Sequence, residues 1–177
     1  MGVLLELLHS KTTLVVVFIL FLCHAGVSAV CKPGWIEHCS SCYKFTDNHT
    51  DWENANTYCQ GLGGMLLVIE SKEENEFIAK EMRNSGMNKA WLGCNDISKE
   101  GTWVCYPEGV KGMQYENWAE GEPNDWNDQN YATIDIAKQH KWNDKDCTKD
   151  SYTICETSSR VSAMSCYILG PDGRMQP

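Results

Sequence analysis

Residues 116–156 read ENWAEGEPNDWNDQNYATIDIAKQHKWNDKDCTKDSYTICE, and this stretch decides the fold more than any other part of the chain. It contains ten acidic residues and four lysines, so its net charge is 4 − 10 = −6 within 41 residues. Hard cations such as Ca²⁺ bind about six to eight oxygen atoms from carboxylates, side-chain amides and backbone carbonyls. The composition therefore predicts a cation site in a long loop region.

Two short motifs supply those oxygen atoms. Glu122-Pro123-Asn124-Asp125 comes first, and Trp142-Asn143-Asp144 follows about twenty residues later. X–Pro is the only peptide bond for which the cis form is cheap, at about 0.5–1 kcal/mol. A cis bond at Glu122–Pro123 would turn the side chains of Glu122 and Asn124 to the same side. A solvated acidic loop without a bound ion is the alternative.

The whole chain has 177 residues, ten cysteines and a formal net charge of −9. This length predicts one domain with a short extra segment or two. The acidic balance argues against binding to nucleic acid or to anionic membranes. So many cysteines indicate an oxidising compartment, provided that an export signal is present.

The sequence contains no motif of a known catalytic site. Metalloprotease, nucleophile-elbow and phosphate-loop patterns are absent, so no enzyme activity is expected. Cys39-Ser40-Ser41-Cys42 matches a redox C-x-x-C pattern, but it precedes the first predicted helix instead of opening a helix after a strand. His38 beside it hints at zinc, yet a fourth ligand at suitable spacing is missing.

The N-terminal residues predict a secretory signal peptide. Leu14 to Cys23 form one apolar run after Lys11, and Val27-Ser28-Ala29 offers small residues for cleavage. The run is short for a membrane span, which needs about 20 apolar residues; a signal anchor is the alternative, because the basic end is thin. We expect removal of residues 1–29, which leaves a secreted, extracellular chain without membrane insertion and with 10 − 1 = 9 cysteines.

Two helices and several short strands are predicted between residues 30 and 157. Thr50-Asp51-Trp52-Glu53 and Ser71-Lys72-Glu73-Glu74 are capping-box patterns, each followed by apolar residues at helical spacing. A short buried strand, 65–69, separates the two helices. This is an α+β layout, and residues 158–177 are expected to form a poorly ordered tail. Further strands are predicted at 90–93, 101–104, 132–134 and 152–154.

The segment from Cys31 to about Glu156 resembles the C-type lectin domain in its long form. Residues 31–45 are similar to the family's extra N-terminal hairpin, and Trp91-Leu92-Gly93 is similar to its Trp-Ile-Gly core strand. The Glu-Pro-Asn and Trp-Asn-Asp motifs stand in the family's order. The resemblance implies a domain over residues 30–157 with the C-type lectin fold: two helices, two small antiparallel sheets, a long Ca²⁺-binding loop region and disulfide staples.

The resemblance also implies how a sugar would be bound. Ca²⁺ would bind two vicinal sugar hydroxyls, Glu122 would accept hydrogen bonds from them, and Asn124 and Asn143 would donate to them. Glu-Pro-Asn is the order that the family uses for mannose, N-acetylglucosamine and fucose, so mannose-type glycans are favoured over galactose. The implied principal Ca²⁺ ligands are Glu122, Asn124, Gln129, Asn143 and Asp144, with Asp144 also giving its backbone carbonyl.

The resemblance also implies roles for further positions, for which the residues themselves give less support. Asp96, Glu100 and Asp125 match an auxiliary Ca²⁺ site, for which ordinary loop carboxylates are the alternative. Trp126 stands where galactose-type members place a ring that stacks on the sugar, so it is a candidate carbohydrate contact. The glycine-rich loop that orients that ring is absent, and mannose therefore stays favoured.

The register of the second motif has two solutions. Trp126-Asn127-Asp128 is also a Trp-Asn-Asp triplet. We prefer residues 142–144, because Cys147 follows them and a predicted strand ends at Cys155.

This chain departs from the family before the strand that begins at Ala132. The family usually has Glu-Asp-Cys there, and this chain has Gln129-Asn130-Tyr131. Gln129 keeps an oxygen for the principal Ca²⁺ but removes one negative charge, and Asn130 weakens the auxiliary site likewise. We expect a dissociation constant for Ca²⁺ in the weak extracellular range, roughly 10⁻⁴–10⁻³ M.

Six cysteines are paired by the resemblance or by their placement. The resemblance implies Cys59–Cys155 and Cys31–Cys42, and Cys94 and Cys105 flank a turn between two predicted strands. The family's partner of Cys147 is Tyr131 here, so that bridge is lost. At least one of the remaining cysteines would be free or intermolecular, which makes a disulfide-linked homo-oligomer a hypothesis. The unplaced cysteines are Cys39, Cys147 and Cys166. Asn48-His49-Thr50 is a glycosylation acceptor, expected on an exposed turn.

The sequence therefore predicts a secreted, Ca²⁺-dependent lectin that recognises glycans on microbes or on cell surfaces. Such a role belongs to innate immunity or cell recognition, and a single shallow site would need several copies for useful avidity. The alternative is a toxin-like or antifreeze-like module that keeps the fold and binds a protein or another surface. Gln129 and Asn130 are the residues that favour this alternative.

Overall fold

The computed structural model describes residues 29–106, 113–161, 168–169 and 175–176. These residues divide into two compact units, and the larger one is Cys31–Ser159. The predicted signal sequence before residue 29 and Cys166 lie outside the described residues. None of the described residues forms a helix long and apolar enough to cross a membrane.

Helix α1 spans Trp52–Gly61 and has one buried face formed by Trp52, Ala55 and Cys59. Its N-cap is Asp51, whose Oδ1 accepts from the backbone N–H of Asn54 at 2.8 Å. The predicted capping box had placed the cap at Thr50, one residue too early. Aspartate at this position satisfies a free helix N–H and carries a charge that the positive end of the helix favours.

Helix α2 spans Lys72–Asn84 and begins as predicted at Ser71, whose Oγ accepts from the N–H of Glu74 at 3.1 Å. Ile78 and Met82 are fully buried on its inner face. The carboxylate of Glu74 does not close the capping box on Ser71. It turns inward to accept from the N–H of Glu70 at 2.7 Å.

The first strand, β1 (Ala29–Val30), belongs to the smaller unit. The described strands of the larger unit are β2 (Ile36–His38), β3 (Ser41–Thr50), β4 (Met65–Leu66), β5 (Lys89–Asn95), β6 (Val104–Cys105), β7 (Tyr131–Asp135), β8 (Lys141–Lys145) and β9 (Ser151–Ser158), with a 3₁₀ helix at Ile136–Lys138 before β8. They form one sheet in the order β2-β3-β9-β5-β7-β8, with β4 beside β9 and β6 beside β5. Among these described strands, all pairs are antiparallel except β5 and β9, which meet at the single pair Ala90 and Tyr152. The two small antiparallel sheets that were predicted are therefore two antiparallel parts of one sheet, joined at this pair.

Two predicted strands are shorter or displaced in the structure. The buried run 65–69 pairs as a strand only at β4, and Leu67 then bonds to the carbonyl of Ile154 at 3.0 Å outside regular pairing. The strand predicted at 101–104 is a turn for most of its length. Gly101 has a φ of +70° there, and the strand β6 begins only at Val104.

The smaller unit contains only short strand pairs among its described residues. Strand β1 (Ala29–Val30) pairs with β10 (Arg160–Val161), and β11 (Ile168–Leu169) pairs with β12 (Met175–Gln176). These strands lie partly within the tail predicted to be poorly ordered, and the other residues of that tail beyond 161 lie outside the described part of the chain.

The larger unit is held together by aromatic and aliphatic side chains and by three disulfides. One cluster packs α1 against Trp91, Leu66 and Cys155, and a second packs α2 against both lobes of the sheet. The disulfides are Cys31–Cys42, Cys59–Cys155 and Cys94–Cys105. They are the three pairs that the sequence analysis expects, and Cys59–Cys155 joins residues 96 positions apart.

Gly93 lets the backbones of two elements touch in the middle of this core. A Cβ added there would lie 2.7 Å from the carbonyl oxygen of Leu66, closer than van der Waals contact allows. The N–H of Gly93 bonds to Leu67 at 2.7 Å instead. This close approach is the physical reason for a glycine after Trp91-Leu92.

Candidate functional site

The loop that carries Glu-Pro-Asn folds onto the end of the β7–β8 hairpin. The Glu122–Pro123 peptide bond is cis, which is the geometry that the sequence suggested for this loop. Oδ2 of Asp144 accepts from the N–H of Asn124 at 2.9 Å and from that of Asp125 at 2.6 Å. One carboxylate in β8 therefore holds the loop in place.

Glu122 and Asn124 meet on the same side of this loop. Nδ2 of Asn124 donates to Oε2 of Glu122. The Glu122 side chain is only 6% exposed, and its other oxygen pairs with the ammonium group of Lys138. Lys138 comes from the 3₁₀ helix between β7 and β8, so a cation of the chain itself contacts a predicted Ca²⁺ ligand.

Asn143 lies beside Asp144 in β8, where it pairs with Thr133 of β7. Its side-chain amide donates to the carbonyl of Asp144, and its own carbonyl accepts from Thr133 Oγ1 at 3.0 Å. The structure thus brings the predicted residues Glu122, Asn124, Asn143 and Asp144 into one contact group, which we call the loop site.

Asp144 is the most informative residue of the loop site, because it is fully buried and half of its carboxylate is unused. Among the described residues, none donates a hydrogen bond to Oδ1 of Asp144. Desolvation raises the pKa of this carboxyl, and the neighbouring Glu122 carboxyl acts in the same direction. A buried carboxylate oxygen without a donor costs free energy unless a cation or water reaches it. Two carboxylates, two amides and this free oxygen fit a hard cation such as Ca²⁺.

The residues predicted for an auxiliary site lie next to the loop site. Asp96 follows β5 and is 1% exposed; its Oδ2 accepts from the N–H of Gly101 at 2.9 Å, while Oδ1 has no partner. Burial raises the pKa of Asp96, and the charges of Asp125 and Asp144 add to this rise. The third predicted residue, Glu100, is exposed on the same turn, so Asp96 is the best-placed ligand of the three.

Gln129 and Asn130 make contacts within their own loop. The N–H of Gln129 donates to Oδ1 of Asp125 at 3.1 Å, and the Asn130 amide donates to Oδ1 of Asp128 at 3.0 Å. The carbonyl of Asn130 accepts from the N–H of Asp96 at 3.2 Å. Gln129 is half-buried beside Asp125, and no bond ties its side-chain amide to the loop site in the described structure.

The second Trp-Asn-Asp triplet, 126–128, forms an exposed turn. Asp125, Asn127 and Asp128 all have positive φ angles between 49° and 63°, a region that Asn and Asp tolerate better than most residues. Trp126 is 71% exposed at the tip. Residues 142–144, in contrast, lie in or next to the loop site, which agrees with the preferred register.

The described residues include no group of three His, Cys, Asp or Glu side chains arranged to hold a metal. The loop site has two such side chains, Glu122 and Asp144, and its other oxygens come from amides. The contact of Lys138 with Glu122 was missed by sequence reasoning. The sequence shows a lysine at position 138, but no spacing rule predicts that its side chain turns towards the loop that carries Glu122.

Tyr131 takes the place of a disulfide partner for Cys147. The Tyr131 ring lies 5.0 Å from the ring of Trp52, and both Tyr131 and Cys147 pack against the cluster around α1. Burial, and then the nearby Cys147, raise the pKa of Tyr131 to about 12. Among the described residues, neither the half-buried Cys147 nor the exposed Cys39 has a disulfide partner. Since Cys42 is bonded to Cys31, Cys39-Ser40-Ser41-Cys42 holds no redox pair.

Asn48 is not on an exposed turn, as the sequence analysis expected. It lies within β3, at an irregularity between Phe45 and His49, and it is half-buried. Its amide donates to Oγ1 of Thr153 at 3.4 Å. The β3–β9 pairing carries this segment past the point where the turn was predicted.

The comparisons with known proteins agree with this geometry. The family described as Lectin C-type domain matches residues 48–157. CD209 antigen-like protein D of Mus musculus is 32% identical over 144 residues, covering 81% of this chain; the chain spans little more than half of that relative, 57%.

Two solved structures share the fold. The cow C-type carbohydrate-recognition domain of CD23, crystallised in the presence of a GlcNAc2Man3 oligosaccharide, has a TM-score of 0.67 and 28% identity, covering 75% of this chain and 99% of that chain. A calcium-independent type II antifreeze protein has a TM-score of 0.68 and 24% identity, and the match covers 75% of this chain and 98% of that chain. From its family match, its disulfides and its fold, this chain belongs to the C-type lectin domain family.

Proposed function

We propose that this protein is a calcium-dependent carbohydrate-binding lectin of the mannose type and not an enzyme. The observation that carries the proposal is the buried, unpartnered Oδ1 of Asp144 beside Glu122, Asn124 and Asn143. Family membership supports carbohydrate binding in general. The residues that would hold Ca²⁺ are Glu122, Asn124, Asn143 and Asp144, with Gln129 a fifth candidate.

When bound, Ca²⁺ would coordinate two vicinal sugar hydroxyls. The chain's own residues would then set which hydroxyls fit. Glu122 offers an acceptor, and the amides of Asn124 and Asn143 offer donors once they leave their present contacts with Glu122 and Asp144. This arrangement is the basis for expecting mannose, N-acetylglucosamine or fucose before galactose.

Trp126 supplies the apolar part of the proposed sugar contact. The residue is 71% exposed, and its backbone N–H donates to Oδ1 of Asn124 at 2.9 Å. A rigid, exposed indole next to a polar site suits the apolar face of a sugar ring. Loss of the ring should weaken sugar binding without affecting Ca²⁺.

The proposal extends to where the protein acts. The predicted signal peptide, the predicted acceptor at Asn48 and the three disulfides favour a secreted, extracellular glycoprotein. Its partners would be glycans of microbes or of cell surfaces, as in innate immunity. Cys39, exposed and unpaired, is the described cysteine best placed to link two copies, and non-reducing electrophoresis tests this: a monomer band with and without reductant contradicts the dimer.

The direct test is retention on mannose-agarose and galactose-agarose in millimolar Ca²⁺, with elution by a chelator. We expect retention on mannose and release by the chelator. Asn143→Ala should abolish retention, because it removes a ligand and a donor together. Asn127→Ala is the matched control, since it alters the equivalent residue of the exposed second triplet, and it should be retained.

Failure of retention on both matrices would favour the other candidate function, a surface-binding module without sugar specificity. This second candidate is considered because a calcium-independent antifreeze protein has the same fold. If Asn127→Ala abolished binding and Asn143→Ala did not, the assignment of residues 142–144 would be wrong.

A further inference from the structure

A cleft of about 520 Å³ opens between α2 and the connection from β7 to β8, outside the loop site. Lys72, Asn75 and Arg83 line one wall; they recur three, eight and eleven positions apart, which places them on one face of the helix. His140 and Lys141 line the other wall. The volume lies within the range of small-ligand sites, about 300–1,000 Å³.

The wall opposite α2 is held rigidly. The carbonyl of His140 accepts from Nδ2 of Asn75 at 3.3 Å and from Nδ2 of Asn117 at 3.2 Å. Asn75 is 5% exposed, and its Oδ1 accepts from the indole N–H of Trp142 at 2.9 Å. These bonds fix the backbone that presents the His140 imidazole, so the cleft does not depend on a flexible loop.

The cleft is positive although the chain is acidic. Lys72, Arg83 and Lys141 carry three positive charges and Glu76 one negative charge, so the lining carries 3 − 1 = +2 in a chain of −9. Lys72 and Glu76 form an exposed pair at 3.7 Å, which contributes little. Among the described residues, Arg83 and Lys141 form no ion pair.

Arg83 is oriented towards the cleft by a neutral partner. Its Nη1 lies 2.7 Å from Nε2 of His140. Burial lowers the pKa of His140, and the charge of Arg83 lowers it further. A guanidinium that donates one N–H to an uncharged ring keeps other N–H groups free, and their planar fork matches the oxygens of a sulfate or carboxylate.

We propose that this cleft is a second ligand site, which binds the anionic group of an acidic saccharide without calcium. Arg83 and Lys141 would hold the sulfate ester or carboxylate. Tyr115, Asn117 and Gln139 add a hydroxyl group and two amides to the lining, and such groups match sugar hydroxyls. The cleft is far larger than a lone oxyanion requires, and this favours a saccharide over a free ion.

The groups that face His140 also predict the pH dependence of binding. Arg83, Lys72 and Lys141 oppose its protonation, while Glu76 favours it, and Tyr115 is neutral at these pH values. Protonation removes the ring nitrogen that accepts from Arg83, but it adds a positive charge beside the bound anion, so binding should strengthen as the pH falls from about 7.5 to about 5.5. His140→Gln should remove that dependence.

The test measures binding of the full chain to dextran sulfate in chelator at about 0.15 M salt, which screens diffuse attraction. Uncharged dextran tests the sugar backbone alone. Polygalacturonate, a carboxylate polymer, tests whether carboxylates bind as sulfate esters do. We expect binding to one or both anionic polymers and none to dextran. Arg83→Gln should weaken it about tenfold or more, because it removes charge-assisted hydrogen bonds.

Lys80→Gln is the matched control, since Lys80 lies on the same helix, is 68% exposed and does not line the cleft. It should weaken binding less than about twofold, as expected for a screened surface charge. Asn143→Ala should leave binding unchanged, which separates this proposal from the calcium-dependent one. Equal losses in Arg83→Gln and Lys80→Gln, loss in Asn143→Ala, or no binding of the unmodified protein would each overturn it.

Discussion

The larger unit of this protein contains two groups of buried or half-buried carboxylates, and the two groups differ in their hydrogen-bond donors. In the group between β3 and α2, Glu156 accepts from Ser41 Oγ at 2.8 Å and from the N–H of Val68 at 3.4 Å. Glu74 accepts from the Tyr43 hydroxyl at 2.5 Å and from a backbone N–H. Each of these four oxygens has a donor from the chain.

In the loop region, Asp96 and Asp144 are even more buried than Glu74, yet one oxygen of each has no donor among the described residues. Burial raises the pKa of both, and their charges act on each other. A fold that can supply donors to Glu74 and Glu156 leaves these two oxygens free. The difference indicates that the first group stabilises the fold and that the loop group is completed by something from solution, which we propose to be Ca²⁺.

The largest expected effect comes from neutralising one carboxylate in each group. Asp144→Asn keeps an oxygen for the N–H groups of Asn124 and Asp125 but removes the charge, so retention on mannose-agarose should be lost completely. Glu156→Gln removes the same charge from the other group and should be retained like the unmodified protein. Loss of retention in both variants would contradict the distinction between the groups.

Glu156 should instead control how stability depends on pH. Burial, followed by the charge of Glu74, raises its pKa from 4.5 to about 7. Between these values the native state holds a proton that the unfolded state has lost, so the contribution of Glu156 to stability is most favourable below pH 4.5 and falls as the pH rises to about 7.

Denaturant unfolding at pH 5 and pH 8 measures this effect. From pH 5 to pH 8, the free energy of unfolding of the unmodified protein should fall by about 2 kcal/mol more than that of Glu156→Gln. This is less than the full pKa shift implies, because the side chain is partly exposed. Parallel stability curves for the two proteins would show that Glu156 titrates normally.

Gln129→Glu is expected to have a smaller effect, in the opposite direction. The substitution restores a negative charge beside the loop site, so the Ca²⁺ midpoint for retention should fall about tenfold, as one nearby charge allows. Gln60→Glu is the matched control, because it makes the same substitution at an exposed position of α1. An unchanged midpoint in Gln129→Glu would mean that this position lies outside the coordination sphere.

The smallest effect is expected from Lys138→Met. This variant keeps the aliphatic stem but removes the ammonium group that pairs with Glu122. Ca²⁺ then no longer competes with Lys138 for Glu122, and the Ca²⁺ midpoint for retention on mannose-agarose should fall a few-fold. Lys149→Met removes the same charge from an exposed turn and should change nothing. A higher midpoint in Lys138→Met would mean that the lysine supports the site.

The sequence predicted the helices, most strands and the loop motifs because each depends on local chemistry. Ser71 caps α2 as its pattern indicates, and the Glu122–Pro123 bond is cis as the motif suggested. The contact between Lys138 and Glu122 could not be predicted, since it depends on how the 3₁₀ helix turns the β7–β8 connection towards the loop.

Where this chain lacks a cysteine that is usual in the family, the structure shows how the space is filled, which the sequence alone does not show. Tyr131 removes a disulfide partner, and its ring fills the space against Trp52. Cys147 therefore stays free but half-buried. The sequence identified the unpaired thiol, while its burial follows from packing around α1.

The central claim is tested most directly by calorimetric titration of Ca²⁺ into the unmodified protein, Asp144→Asn and Glu156→Gln, without sugar. We expect saturable binding with a dissociation constant of roughly 10⁻⁴–10⁻³ M in the unmodified protein and in Glu156→Gln, and none in Asp144→Asn. Absence of binding in the unmodified protein at several millimolar Ca²⁺, or undiminished binding in Asp144→Asn, would contradict a calcium site at Asp144.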